Sequence, residues 1–131
     1  RRLLASTAVA AASALAGCGV VGSTDRTGAT LAVRVNNRSG RAGTVSVTVT
    51  DDEGTVRDRV TGETIPAGVS ASFDSAGYGP GRYAIRVEGD RWATGDLWDP
   101  AICRSYVSIT TLEETDGRPS VAVESACESD E

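Results

Sequence analysis

Apolar and polar residues alternate with a period of two through most of the chain, and that period predicts strands. Leu31, Val33 and Val35 alternate with Ala32, Arg34 and Asn36, and Val45, Val47 and Val49 alternate with Ser46, Thr48 and Thr50. Each run therefore offers one apolar face. The two runs are expected as antiparallel strands with one wet side, joined by the turn formers of Asn36 to Gly43. Asp51-Asp52-Glu53-Gly54 reads as a tight turn into Thr55 to Thr61, and Ile65-Pro66-Ala67-Gly68 as a further turn. Val69, Ala71 and Phe73 then alternate with Ser70, Ser72 and Asp74. Gly77-Tyr78-Gly79-Pro80-Gly81 breaks the chain again before Tyr83, Ile85 and Val87. Helix-favouring stretches are absent after Cys18. About seven short strands punctuated by Gly, Pro and Asp turns predict an all-β fold, an antiparallel β-sandwich over residues 29–127. That length holds one modest core and no second domain.

A closing hairpin follows from the same period. Cys103, Ser105, Val107 and Ile109 share one face, and Val121, Val123, Ser125 and Cys127 share another. A turn centred near Thr115 pairs Ile109 with Val121, Val107 with Val123, and Cys103 with Cys127. This register predicts a Cys103–Cys127 disulfide, in keeping with an oxidising extracytoplasmic site. Two free thiols or a metal pair remain the alternative, but no His and no third thiol are at hand to complete a zinc site.

The residues ahead of the domain predict a destination. Arg1 and Arg2 precede an uncharged run, Leu3 to Leu15, too short to span a bilayer as a helix. It ends in small residues, as an export signal does. Leu15-Ala16-Gly17-Cys18 resembles the lipobox of prokaryotic lipoprotein signals: an aliphatic residue, two small residues and a Cys. The resemblance implies cleavage after residue 17, a diacylglycerol on the Cys18 sulfur, and a chain held on the extracytoplasmic face of the membrane. Two acyl chains suffice for stable anchoring. An ordinary thiol in an Ala-rich helix is the plainer alternative. Arg1-Arg2-Leu3-Leu4 also resembles the start of a twin-arginine signal, which leaves the export route open. Residues 18–28, Gly-rich and polar toward the end, form a flexible tether, and residues 128–131 an acidic tail.

Charge narrows the partners. The full sequence has 13 basic and 18 acidic residues, and every basic residue is Arg. Removing Arg1 and Arg2 leaves 11 against 18, a net charge of −7. Such a surface argues against nucleic acid and against a polybasic contact with anionic lipid. The acidic, Lys-free composition resembles that of proteins from salt-loving archaea, with a GC-rich actinobacterium as the rival source.

The strand count and the run Pro80-Gly81-Arg82-Tyr83-Ala84-Ile85-Arg86-Val87 resemble immunoglobulin-like or fibronectin-like modules of extracellular proteins. The resemblance implies that Tyr83 packs into the core beside a turn. It covers most of Leu31 to Val123. Immunoglobulin domains proper carry a disulfide between their two sheets with a Trp against it; here both cysteines fall late in the chain.

Candidate chemistry is sparse. The chain contains no His, so Ser-His-Asp and Cys-His arrangements are impossible. No Gly-rich phosphate loop leads into a helix, and no cofactor is expected. Glu113, Glu114 and Asp116 are the carboxylates to consider for paired-acid catalysis, on a solvent-exposed hairpin tip. Asp51, Asp52 and Glu53, or Asp90, Asp96 and Asp99, offer oxygen ligands for calcium, against the plainer reading of solvated turns. Asn37-Arg38-Ser39 is an N-glycosylation sequon in an expected turn. Gly89 to Pro100 reads as an irregular insertion. It holds Trp92 and Trp98, either a platform for a sugar or protein partner or a cover for the core edge and disulfide. The sequence thus predicts a non-catalytic, membrane-anchored sandwich that binds a cell-envelope protein or glycan, with a calcium- or solute-binding module as the alternative.

Overall fold

The computed structural model describes residues 28–128. The lipobox with Cys18, the Arg1-Arg2 pair, most of the tether and the end of the acidic tail lie outside the described residues. Eight strands follow in chain order: β1 (Ala29–Asn37), β2 (Gly43–Asp51), β3 (Val56–Ile65), β4 (Ser70–Tyr78), β5 (Tyr83–Glu88), β6 (Ala93–Trp98), β7 (Ser105–Thr115) and β8 (Arg118–Cys127). They form two four-stranded sheets, ordered β4-β1-β7-β8 and β3-β2-β5-β6. Every pairing is antiparallel except β1 with β7, which is parallel. The fold is a β-sandwich, as the alternation predicts, with one parallel seam that alternation alone does not reveal.

The core lies where the apolar faces meet. Leu31, Val33 and Val35 of the first sheet face Val45, Val47, Val49, Ile85 and Val87 of the second, all buried. β1 and β2 therefore oppose each other across the core instead of pairing, a correction to the hairpin expected from sequence. Their connection crosses the roughly 10 Å between packed sheets. A strand with a continuous apolar face is equally content paired with its neighbour or facing it, so periodicity does not decide between these.

The order β6-β5-β2-β3 is that of strands G-F-C-C′ in an immunoglobulin variable-type sheet, and β1 paired with β4 takes the place of B with E. Where strand A would lie beside B, the chain places β7 instead, arriving from the other terminus. Tyr83 opens β5, is buried, and donates its phenol hydrogen to the Gly79 carbonyl oxygen at 2.9 Å. This is the tyrosine corner of such folds, at the residue singled out by its place in the Pro80 to Val87 run.

Three further expectations are corrected. Residues 93–98, expected as an irregular insertion, form the edge strand β6. Its sequence, Ala-Thr-Gly-Asp-Leu-Trp, carries Gly and Asp, which are depleted in strands, and it is held by six residue pairs to β5. β4 runs on through Gly77 to Tyr78, so the first two residues of the supposed Gly-rich break are strand. The closing hairpin turns at Asp116-Gly117, with Thr115 opposite Arg118. Both turn residues have positive φ, 54° and 75°, as a two-residue type I′ turn requires. Opposed positions consequently sum to 233, which pairs Leu112 with Val121 and Thr110 with Val123. An odd shift exchanges the faces of a strand: Tyr106, Ser108, Thr110 and Leu112 share the face of Leu31, Val33 and Val35, while Val107 and Ile109 lie on the outer face.

Cys103 and Cys127 are nevertheless disulfide-bonded, with Cα atoms 5.6 Å apart. Cys127 lies opposite Tyr106, not opposite Cys103. The bond thus ties the edge strand β8 back to the buried Cys103 of the loop before β7. Opening a loop with sequence separation 24 is expected to cost about 3 to 4 kcal/mol. Urea unfolding of the Cys103→Ser/Cys127→Ser protein measures that loss.

Two tyrosine–carboxylate contacts seal the edges between the sheets. Tyr78 of β4 donates to Asp58 of β3, with Ser75 also on its hydroxyl. Tyr106 of β7 donates to Asp96 of β6 at 2.8 Å. Burial, followed by the bond to Asp58, pushes the Tyr78 phenol well above its usual range. Burial also raises Tyr106, helped by Asp96 and opposed by Ser125. A phenol whose folded pKa exceeds its unfolded value stabilises the fold below the unfolded pKa, about 10. That stability is lost as pH rises through the folded pKa. Stability is therefore expected to fall above about pH 10, and the Tyr78→Phe protein to fall less steeply in the same alkaline titration of melting temperature.

Candidate functional site

Four connections meet at one end of the sandwich: residues 38–42 after β1, 66–69 after β3, 89–92 after β5, and the Asp116-Gly117 turn. In immunoglobulin variable domains the corresponding B–C, C′ and F–G connections form the recognition end. Here three of the four connections enclose a cleft of about 470 Å³, within the range of small-ligand sites. Its walls are Ser39 to Thr44, Glu88 to Trp92, and Leu112 to Glu114 with Pro119.

Asn37 builds one wall. It ends β1, is only 2% exposed, and its Nδ2 donates to the carbonyls of Arg41 and Ile65 at 2.9 Å and of Pro66 at 3.3 Å. Its Oδ1 accepts from the Ser39 backbone N–H at 3.0 Å and from Ser39 Oγ at 2.7 Å. The Asn-Arg-Ser run is an Asx turn, and its amide pins the β1–β2 connection to the end of β3. The expected glycan acceptor is thus corrected: the nitrogen that would carry a sugar is buried and fully engaged in the folded domain.

Trp92 and Gly89 build the opposite wall. The Gly89 N–H donates to the Trp92 carbonyl at 2.9 Å, closing the β5–β6 connection. The indole lies directly over Gly89, where a Cβ would stand 2.4 Å from ring atoms. Only Gly permits this approach. The ring packs partly against the core and remains partly open to the cleft. Across the cleft, Arg41 Nη2 meets Glu114 Oε2 at 3.1 Å. Glu113 and Asp90 add charge, while Leu112 supplies an apolar floor.

The residues singled out in the sequence divide accordingly. Trp92, Glu113, Glu114 and Asp90 come together at the cleft. Trp98 does not: it ends β6 at the other end of the domain, 2% exposed, within an aromatic cluster of Tyr78, Tyr83 and Tyr106. Its Nε1 donates to the Cys103 carbonyl at 2.7 Å, beside the disulfide. A joint platform of the two tryptophans is therefore corrected. They lie six positions apart along the strand, roughly 20 Å.

The carboxylates considered for calcium do not converge. Asp51 accepts the backbone N–H groups of Glu53 and Thr55, Asp96 holds Tyr106 and the Leu97 N–H, and Asp99 accepts from the Ala101 N–H. Asp90 lies at the other end of β6. Among the described residues no three His, Cys, Asp or Glu side chains gather to hold a metal. Asp116 is an exposed turn residue, and Glu114 is occupied by Arg41. Sequence reasoning passed over Arg41, Arg91 and Gly89; the signal available for Gly89 was its place three residues before a Trp in a short connection.

No family model and no curated protein matches the chain. Among solved structures, the crystal structure of the human-specific toxin intermedilysin is similar, with a TM-score of 0.48 and 14% identity, covering 74% of this chain and 23% of the toxin's. The NMR structure of a protein from Eubacterium rectale is similar with a TM-score of 0.43 and 14% identity, covering 78% of this chain and 94% of that one. Neither likeness assigns a function here. Among the described residues no helix is long and apolar enough to cross a membrane.

Substituting Gly89→Ala places a methyl group within the indole and forces Trp92 out of its seat. A loss of about 1 to 3 kcal/mol is expected from the overpacking, together with a more exposed tryptophan emission. Fluorescence-detected denaturation of the Gly89→Ala and unsubstituted proteins measures both, since the buried Trp98 is common to the two and the difference in emission reports Trp92.

Proposed function

We propose that this chain is a lipid-anchored, non-catalytic binding module of the cell envelope, and that its cleft holds a glycan. The observation that carries the reading is the partly open indole of Trp92, fixed over Gly89 in a cleft otherwise walled by charged and hydroxyl side chains. An aromatic face gives apolar contact to the C–H face of a sugar ring. Arg41, Arg91, Glu88 and Glu113 surround it with donors and acceptors for hydroxyl groups. A rigid frame lowers the ordering cost of binding; here the Asn37 bonds and the Arg41–Glu114 pair hold the walls.

The anchor belongs to the same reading. The lipobox resemblance of Leu15 to Cys18 supplies it, and the geometry of the domain suits it. β1 starts at the tether and runs nine residues to Asn37 at the cleft, a distance of roughly 30 Å. A chain held at Cys18 would therefore present its cleft away from the membrane, toward the surrounding glycan and protein. The acidic surface without Lys suits the extracytoplasmic site and gives no basis for nucleic acid.

Titration of the full chain with oligosaccharides from the envelope is expected to quench or shift Trp92 emission with saturation. Trp92→Ala should abolish binding, with a melting transition that is lowered but still cooperative, since the ring packs only partly against the core. Saturable binding of an envelope protein with no sugar response would replace the glycan by a protein partner. Intact mass of the membrane-fraction protein should begin at Cys18 with a diacylglycerol attached.

A further inference from the structure

The end of the sandwich opposite the cleft carries the two most exposed large apolar side chains of the described residues, Leu97 at 77% and Ile102 at 83%. Leu97 stands on the outer face of the edge strand β6, next to its last residue. Ile102 lies on the β6–β7 connection, in the run Pro100-Ala101-Ile102, whose Ala101 is also exposed. Neither side chain has a place in the core, the cleft or the disulfide. The next most exposed large apolar side chain, Val69, is at 42%.

The tether reaches the domain at the same place. Gly28, its last residue, shares a concavity of about 400 Å³ with Gly77 to Pro80 and with Pro100, Ala101 and Arg104. Gly28 lies ten positions after Cys18. Fully extended, that length of chain reaches at most about 35 Å. A lipid on Cys18 would keep this end of the domain within about 35 Å of the bilayer.

We propose that the β6–β7 corner docks on the lipid surface to which the chain is anchored, with Ile102 and Leu97 entering the headgroup–acyl boundary. The proposal rests on the lipid-anchor reading and specifies how the domain stands on the membrane. The contact is apolar and needs no anionic lipid, in keeping with the Lys-free, acidic surface. Asp52 and Glu53 lie at the same end, in the β2–β3 turn, but three strands away across the second sheet. The cost of dehydrating these carboxylates keeps that corner in water and tilts the sandwich onto β6. The Asp99 carboxylate beside the docking loop lies 3.9 Å from Arg82 Nε and is partly balanced by it. In this posture the cleft points away from the membrane and to one side.

The test uses the full chain, carrying its own lipid, in phosphatidylcholine vesicles. A photoreactive benzophenone amino acid replaces Ile102 in one preparation and Glu113, at the cleft end, in another. Intact mass first reads acylation of Cys18. With Cys18 acylated, the probe at position 102 is expected to crosslink phosphatidylcholine several-fold more than the probe at 113, and Leu97→Asp should reduce that yield. Equal, low yields from both positions on an acylated chain would overturn the docking while leaving the anchor standing. An unacylated Cys18 would remove the anchor and the docking with it.

Discussion

The structure depends on the aromatic cluster that fastens the two sheets at the tether end. Trp98 of β6 packs against Tyr78 of β4, Tyr83 of β5 and Tyr106 of β7, with ring centroids 5.1 to 5.7 Å apart. Two of these strands belong to each sheet. Aromatic pairs in such geometry contribute about 0.5 to 1.5 kcal/mol each beyond their buried area. Their polar tips also find partners: Trp98 on Cys103, Tyr83 on Gly79, Tyr78 on Asp58 and Tyr106 on Asp96. The disulfide sits against this cluster through Cys103. Sheet packing, both edge seals and the covalent closure therefore converge on one group of four rings.

This concentration frees the other end. The cleft connections carry little of the core and are shaped by local devices: the Asn37 amide, the Gly89 contact and the two-residue turn at Asp116-Gly117. Such loops on a rigid frame are where recognition residues are commonly found. The division places order at the tether end and chemistry at the cleft end, joined by strands that run the full length between them.

Much of this was legible in the sequence, and the failures have physical reasons. Period-two alternation located seven strands and the core residues of β1, β2 and β5, because one face of each is apolar. It missed β6, whose Gly95 and Asp96 hide an edge strand held by backbone pairing to β5. It placed β7 with the wrong face inward because Val107 and Ile109 are more apolar than Ser108 and Thr110. The register is set instead by Asp116 and Gly117, whose positive φ values fix a two-residue turn. The disulfide was still found, since an edge strand ending beside the preceding loop brings Cys127 to Cys103 under either register. Trp92 was visible as a candidate, but its separation from Trp98 was not: that required knowing that the five residues between them belong to a strand. Asn37 fits a sequon by pattern and a structural pin by burial, and only the fold distinguishes the two.

The central claim is that ligand recognition is confined to the cleft between the β1–β2 connection, the β5–β6 connection and the closing hairpin. Backbone amide chemical shifts of the labelled chain, followed during titration with envelope oligosaccharide, test it most directly. The account predicts perturbations at Ser39 to Thr44, at Gly89 to Trp92 and around Glu113 and Ser120, with Tyr83, Trp98 and Cys127 unmoved. Perturbations centred on the Trp98 end or along the outer sheet faces, with the cleft silent, would contradict it.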